Sequence, residues 1–320
     1  MSGSRDRRVL ALHLAVLGGL LALQAVLPPF HHTMVARIMV LAAFAVGYNL
    51  LLGYTGLMSL GHAMFFAAGV YGAGLPVYYA GLGAGPAMAL GVLAGVALAA
   101  LVGALVLRTS GVAFLIVTMM FAQVFFLTAL YFNPITGGDQ GLVLTGRLPP
   151  VHLFGLELTA ASPAVKYNVA WGVLAAALLV TLGLVRSPAG RALVAIRENE
   201  ERTRMLGYNT FAYKWLAFVT AGGIAALAGA AYALLFSYVG ATFASILYSI
   251  YPLLWTLLGG VGTTLGPLVG TGIMTYVVDV ASGITTSYLL VVGAVLVLLI
   301  MRLPAGVMGG VRRRWWPWLP

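Results

Sequence analysis

The chain has 320 residues, 62% of them hydrophobic and 8% charged, against about 45–50% and about 25% in an ordinary soluble domain. A spanning helix takes about 20 predominantly apolar residues, so this length accommodates roughly ten spans with short loops and leaves no room for a sizeable water-soluble domain. The formal net charge of +10 fits basic residues on cytoplasmic loops better than a nucleic-acid partner, and the lack of cysteine excludes a disulfide framework, a thiolate metal site and a thiol nucleophile.

Arg5, Asp6, Arg7 and Arg8 precede an apolar run from Val9 to Leu27. The run is too long for a signal peptide and lacks a small-x-small cleavage site, so it reads as an uncleaved first span with a cytoplasmic N terminus. The apolar segments fall at about 9–28, 35–52, 57–80, 86–107, 112–132, 168–185, 214–237, 245–258, 266–282 and 286–302. The pattern predicts an all-α, polytopic membrane bundle of about ten transmembrane or re-entrant segments. Starting inside, ten spans end inside, in agreement with Arg302 and the run Arg312 to Arg314. The segment at 245–258 is shorter than a full span and stays open to a re-entrant reading, which would upset this parity. Arg37, near the outer end of the second segment, is explained only by snorkelling toward the interface.

Three glycine-rich stretches interrupt the apolar pattern. In Leu51-Leu-Gly-Tyr-Thr-Gly-Leu-Met-Ser-Leu-Gly-His62, preceded by Asn49, the glycines permit sharp turns or close helix approach. Polar groups at membrane depth are buried in protein or line a pathway; packing through small residues is the competing reading. His62 is a candidate ligand or proton carrier, or simply a bonded interior group. Thr136-Gly-Gly-Asp-Gln-Gly141 opens a loop at 133–167, where Asp139 and Glu157 balance Arg147 and Lys166, as an external loop would. Leu257-Leu-Gly-Gly-Val-Gly-Thr-Thr-Leu-Gly-Pro267 echoes the first stretch, as the halves of a duplicated transporter do, although short glycine-rich matches also arise by chance.

The segment 186–214 is the one large charged insertion, with six basic residues (Arg186, Arg191, Arg197, Arg202, Arg204, Lys214) against three acidic ones (Glu198, Glu200, Glu201). Its side is cytoplasmic by charge and by parity. Ser187 and Pro188 form a helix start, Asn199 followed by Glu200 and Glu201 a second, and Gly207 a reversal point. The spacing predicts one or two short helices, against the alternative of a solvated loop that merely orients the protein.

No G-x-x-x-x-G-K-[ST] phosphate loop, H-E-x-x-H pair or G-x-S-x-G elbow occurs. Asp279 is the only acidic residue inside an apolar segment, fewer ionisable groups than a proton- or sodium-coupled carrier uses.

Taken in order, Gly53 to His62 with Phe65, Phe66 and Tyr71, Thr136 to Leu142, Arg186 to Glu198, Tyr213 to Phe218 with Ala228-Gly-Ala230, Leu258 to Gly262 with Gly266-Pro267, and Leu303-Pro-Ala-Gly306 resemble the LivM-type permease subunit of branched-chain amino-acid ABC importers. The resemblance covers most of the chain. It implies that 1–320 is a single ABC importer permease domain in the prokaryotic inner membrane. Its partners would be a homologous LivH-like permease, two ATP-binding subunits of the LivG and LivF type and an external solute-binding protein. ATP and Mg would sit on the ATP-binding subunits, with no cofactor, metal or catalytic residue on this chain.

In such importers a cytoplasmic permease loop docks on the ATPase. The family's E-A-A-x-x-x-G pattern falls on Glu201, Arg202, Thr203 and Gly207, with both alanines replaced and Glu200 an equal candidate for the acid. ATPase contacts are accordingly expected at Arg191, Arg197, Glu198, Glu200 and Glu201, with Gly207 ending the helix. Asn49, Tyr54, Ser59, His62, Thr263 and Thr264 are the pathway or gate candidates. A stand-alone secondary transporter or channel and an assembly subunit are the alternatives by class; urea or short amides are the alternatives by substrate.

Overall fold

The computed structural model describes residues 2–147, 151–153, 156–158 and 162–316, with the backbone alone at 2–6, 29–30, 151–153, 156–158, 288 and 300. The side chains of Arg5, Asp6 and Glu157, used above in the charge readings, lie outside the described set. The helices in chain order are α1 (Ser2–Leu23), α2 (Pro29–Asn49), α3 (Ala63–Ala80), α4 (Ala84–Val106), α5 (Gly111–Tyr131), the single turn α6 (Asn133–Thr136), α7 (Pro163–Arg186), α8 (Pro188–Glu198), α9 (Glu200–Met205), α10 (Thr210–Phe236), α11 (Ile246–Gly259), α12 (Gly266–Ile284), α13 (Tyr288–Arg302) and α14 (Gly306–Arg314). Two short antiparallel pairs supplement the helices: β1 (Leu142–Val143) with β4 (Tyr238–Val239), and β2 (Val151–Leu153) with β3 (Leu156–Leu158).

Among the described residues, seven helices are long and apolar enough to cross a membrane: His31–Thr55, Ala63–Ala80, Ala84–Val106, Gly111–Tyr131, Pro163–Arg186, Thr210–Phe236 and Gly266–Ile284. Ile246–Gly259 and Leu289–Leu299 are apolar but shorter. The chain is thus a polytopic helical membrane protein.

The core is a close-packed group of α2, α3, α4, α7 and α10. Small residues set its spacing: a side chain on Gly69 would run into the backbone of Ala226, and one on Gly229 into the carbonyl of Phe66, which brings α3 and α10 into near-backbone contact. By contrast, Val112, Ile116, Met120, Val124 and Leu127 stand exposed at helical spacing along α5. In a membrane protein such a face meets lipid or another helix rather than water.

Among the sequence boundaries that move, two have a clear local cause. The segment expected at 57–80 begins at Ala63, because α2 continues as a π-helix over Leu50–Thr55 and the chain then turns at Gly56, whose φ of 75° is left-handed. The segment expected at 168–185 begins at Pro163, so α7 takes in the end of the loop drawn at 133–167. Lys166, in its first turn, lies 5.9 Å over the Phe236 ring, a placement that lets a charged residue start an apolar helix.

Contacts define the bundle's two ends. One gathers β1 and β4, the start of α7 and the ends of α1 and α3. There the Tyr167 hydroxyl donates to the Leu20 carbonyl and the Trp171 indole to that of Leu17 at 2.8 Å. Arg147 likewise donates to the Tyr78 carbonyl at 2.9 Å while stacking on its ring. The other end gathers α8, α9 and the breaks at 56–62 and 260–265.

Candidate functional site

Both glycine-rich breaks are helix interruptions, and they pack against each other. Asn49, fully buried at the end of α2, uses its amide twice: Nδ2 donates to the Thr263 carbonyl at 2.9 Å and Oδ1 accepts from the Gly262 amide at 2.9 Å. The approach is closest at Gly53, where a Cβ would strike Asn49 Oδ1 and lie 2.5 Å from the Gly262 nitrogen. Only a residue without a side chain lets these two backbones meet.

The surroundings of the two breaks come from five further elements. Thr118 of α5 accepts from the Leu60 amide at 3.3 Å, and Ser249 of α11 accepts from the first amide of α3, that of Ala63, at 3.0 Å. From α1, His13 Nε2 lies 2.6 Å from Thr264 Oγ1 while its Nδ1 lies 2.7 Å from the Val9 carbonyl. A carbonyl only accepts, so Nδ1 carries the proton and Nε2 accepts from the Thr264 hydroxyl.

The fourth element is the charged loop, whose helix punctuation is present as the sequence places it. The Ser187 side chain accepts from Gly190 N at 3.3 Å and Pro188 is the first residue of α8. Asn199 Oδ1 accepts from Arg202 N at 2.8 Å, and Gly207 takes a φ of 88°. Gly190, Ala192, Leu193 and Ile196 form the buried stripe of α8, which seats it on α7, α10 and the π-helical turn. The last turn of α8 thereby delivers Arg197 to the junction: Nη1 donates to the Gly53 carbonyl at 2.5 Å, while Nε and Nη2 both rest on Glu198 Oε1, at 3.2 and 2.6 Å. The Gly53 carbonyl belongs to the last helical turn before the break, where unpaired carbonyls favour a cation. A second cation arrives from α14, where Arg312 Nη1 is 3.4 Å from the Gly262 carbonyl.

The structure sorts the loop residues named from sequence. Arg191, Glu201 and Gly207 are exposed on the loop surface. Arg197 and Glu198 are exposed as well, but the Arg197 guanidinium also reaches the Gly53 carbonyl and pairs with Glu198. Glu200 is half-buried and bound to Lys214 at 2.7 Å and Arg204 at 3.4 Å. Burial pushes its carboxyl up, but the hydrogen bond and charge of Lys214, with smaller help from Thr210 and Arg204, outweigh that and hold it below the ordinary value.

Of the pathway candidates, Asn49, Thr263 and Thr264 meet in the junction. Ser59 is buried and accepts from Gly61 N at 3.2 Å. The Tyr54 hydroxyl is buried with no partner among the described residues. His62 stands apart in an aromatic cage, stacked on Phe44 at 5.3 Å with Tyr48 and Phe65 at its edges, and among the described residues neither of its ring nitrogens has a hydrogen-bond partner. No group of three or more histidine or acidic residues able to hold a metal occurs among the described residues.

Sequence reasoning missed two features. Arg312 was assigned to a charged tail, and nothing local indicates that it faces Gly262. Met205 and Leu206 are 84% and 72% exposed at the end of α9, an apolar tip on the charged loop. Their position after two acidic and two basic residues on a one-and-a-half-turn helix was the available signal.

Over residues 32–301 the chain matches the family described as branched-chain amino acid transport system / permease component. It is 29% identical over 291 residues to the high-affinity branched-chain amino acid transport system permease protein LivM of Salmonella typhimurium, which covers 84% of this chain and 68% of that one. The LivM protein of Escherichia coli is 28% identical over 291 residues with the same coverage. A 113-residue stretch, 34% of this chain and 32% of the relative, is 34% identical to a probable branched-chain amino acid transport permease protein LivM of Methanocaldococcus jannaschii. No solved structure matches the chain.

Proposed function

This chain belongs to the branched-chain amino acid transport permease family and is a multi-pass membrane transport component, and we propose that it is the permease subunit of an ATP-driven importer of branched-chain amino acids. In this reading it works in a prokaryotic inner membrane with ten segments and both termini cytoplasmic. It pairs with a homologous permease, takes substrate from an external binding protein and docks on separate ATP-binding subunits. The chain itself hydrolyses nothing.

The observation that carries the reading is the link from the loop to the breaks. Two short capped helices are rigid elements, and α9 ends in an apolar tip flanked by charges, the composition of a protein-docking surface. Closure of nucleotide domains beneath α8 and α9 would displace them. Arg197, anchored on Gly53 and braced by Glu198, would then carry that displacement into the place where the breaks at 56–62 and 260–265 touch. Helices interrupted at a shared level are where a bundle hinges at low cost, since backbone there is already outside the helical ladder. Nucleotide would thereby bias a two-state equilibrium of the junction.

Reconstitution tests the proposal. Proteoliposomes holding this chain with the homologous permease and the two ATP-binding subunits are expected to take up labelled L-leucine only with ATP inside and binding protein outside. Uptake by the purified chain alone, driven by a proton or sodium gradient, would replace the reading with a secondary transporter. Faster uptake of urea or acetamide than of L-leucine would keep the importer and change its substrate.

A further inference from the structure

A cleft of about 530 Å³ opens between α2 and α12 at the strand end of the bundle, lined by Thr33, Met34, Arg37, Thr275, Val278, Asp279 and Ser282. It is remote from the junction: Arg37 lies about two turns inside the start of α2 and Asp279 a turn and a half from the end of α12, so both charges sit at membrane depth. An ionisable group within an apolar spanning helix is costly unless it finds a partner, a water-filled path or a ligand.

Here the two opposite charges face one cleft without neutralising each other. Among the described residues neither Arg37 nor Asp279 makes an ion pair, and both are exposed. The Arg37 guanidinium instead lies 5.2 Å from the centre of the Phe236 ring. That contact stabilises the cation through one face and leaves its N–H edge, five donors in a planar fork, without an acceptor among the described residues. The Asp279 carboxylate likewise has no donor among the described residues; the Ser282 hydroxyl donates to its backbone carbonyl instead, at 2.8 Å. The Thr275 hydroxyl donates its hydrogen back to the Thr271 carbonyl at 2.8 Å, so what it offers the cleft is a lone pair, suited to an N–H donor.

A cation on one wall, an anion on the other and accepting hydroxyl oxygens beside the anion complement a small molecule with both charges. A simple anion would be repelled by Asp279 and a simple cation by Arg37. The volume falls within the range of small-molecule sites.

We propose that this cleft binds a zwitterion, with Arg37 clasping its anionic oxygens in the bidentate manner of a guanidinium and Asp279 holding its ammonium. Two sources supply that chemistry in a membrane: a free α-amino acid and the headgroup of phosphatidylethanolamine. The amino-acid source rests on the transport reading above; the site itself does not. With an amino acid bound, the side chain of the ligand would turn toward Met34 and Val278, and the cleft would be a loading position at the strand end, before the aromatic group of Tyr232, Phe66 and Phe44 that leads inward to His62.

Equilibrium dialysis on the full chain in phosphatidylglycerol nanodiscs, with labelled L-leucine as probe, reads the first source. Native mass spectrometry of the chain from mixed phosphatidylglycerol and phosphatidylethanolamine nanodiscs reads the second. L-leucine is expected to bind roughly tenfold or more tighter than leucinamide, which lacks the carboxylate, and 4-methylpentanoate, which lacks the ammonium. Arg37→Ala and Asp279→Asn should each abolish that preference. The conservative Arg37→Lys should restore binding in part, since a lysine supplies charge without the fork, and unchanged melting temperatures would show that the variants fold. Retention of phosphatidylethanolamine that needs both residues, without L-leucine binding, would support the zwitterion site with lipid as its occupant.

The proposal is overturned if neither ligand depends on Arg37 and Asp279. ATP-driven leucine uptake that survives both substitutions alongside that result would leave the transport reading standing alone. Loss of the transport reading with headgroup retention intact would leave the site standing alone.

Discussion

The guanidinium of Arg197 donates to the carbonyl of Gly53, a residue 144 positions earlier in the chain, at 2.5 Å. This bond joins the last turn of a charged surface helix to a helix break in the core, so the loop and the break cannot shift independently while it holds. Gly56 extends the constraint, because a Cβ there would lie 2.9 Å from Arg197 Cγ.

Gly53→Ala is expected to abolish transport or folding, since the added methyl would overlap Asn49 Oδ1 and the Gly262 backbone, neither of which is a free side-chain end. Gly293→Ala, where a Cβ meets nothing within 4 Å, should leave expression, melting temperature and uptake unchanged. Equal effects at the two positions would show that the contact at Gly53 has no special importance.

Asn49→Ala removes both side-chain bonds across the junction and strands the Gly262 amide and the Thr263 carbonyl in the interior. Leaving buried partners unsatisfied costs about 1–3 kcal/mol for each group, so with two groups stranded the variant should lose on the order of 2–6 kcal/mol. Denaturant titration of the purified chain measures it. Asn49→Asp restores the acceptor for Gly262 but not the donor to Thr263, and should fall between.

The Glu200 carboxyl titrates below its ordinary value because Lys214, Thr210 and Arg204 favour the anion more than burial opposes it. A group whose folded-state pKa is lowered contributes stability that is complete above its unfolded pKa and is lost as pH falls through the folded one. Wild type should therefore melt higher than Glu200→Gln at about pH 7, and the gap should close as acid takes the solution below the ordinary carboxylate range and Glu200 protonates. A gap that is constant or grows with acid would contradict the ion pair. Solvent access to Glu200 keeps the effect modest.

Met205→Ser with Leu206→Ser removes the apolar tip of α9 without touching the caps or ion pairs of the loop. The double variant should insert and melt as wild type, yet bind ATP-binding subunits about tenfold or more weakly, the scale of a lost apolar anchor at an interface centre. Co-purification at matched expression reads this directly, and undiminished binding would move the docking surface elsewhere.

Local chemistry made parts of this architecture legible in sequence. Ser187, Pro188 and Asn199 act on amides two or three residues away, so their caps follow from their neighbours. The two glycine-rich stretches were legible as breaks for the same reason. Their mutual contact through Asn49 was not, because it depends on how α2 and α11 pack. Arg197 illustrates the difference. Its charge and helical position suggest a partner outside the chain, and the burial of Leu193 and Ile196 rotates α8 so that its guanidinium also reaches the Gly53 carbonyl while the side chain stays 36% exposed. Arg37 had no local explanation because its support, Phe236, lies at the far end of α10. The displaced start of α3 reflects a π-helical turn, which carries no hydrophobic period of its own and reads as the ordinary end of a span.

The most direct test of the account compares transport with nucleotide turnover in reconstituted importer carrying Arg197→Ala. Losing a charged hydrogen bond of about 1.5–3 kcal/mol from the link should lower L-leucine transported per ATP hydrolysed roughly tenfold or more, with the ATP-binding subunits still bound and hydrolysis persisting. An unchanged ratio of leucine to ATP in a fully assembled Arg197→Ala complex would contradict it, because the loop would then drive the junction by a route that does not pass through Gly53.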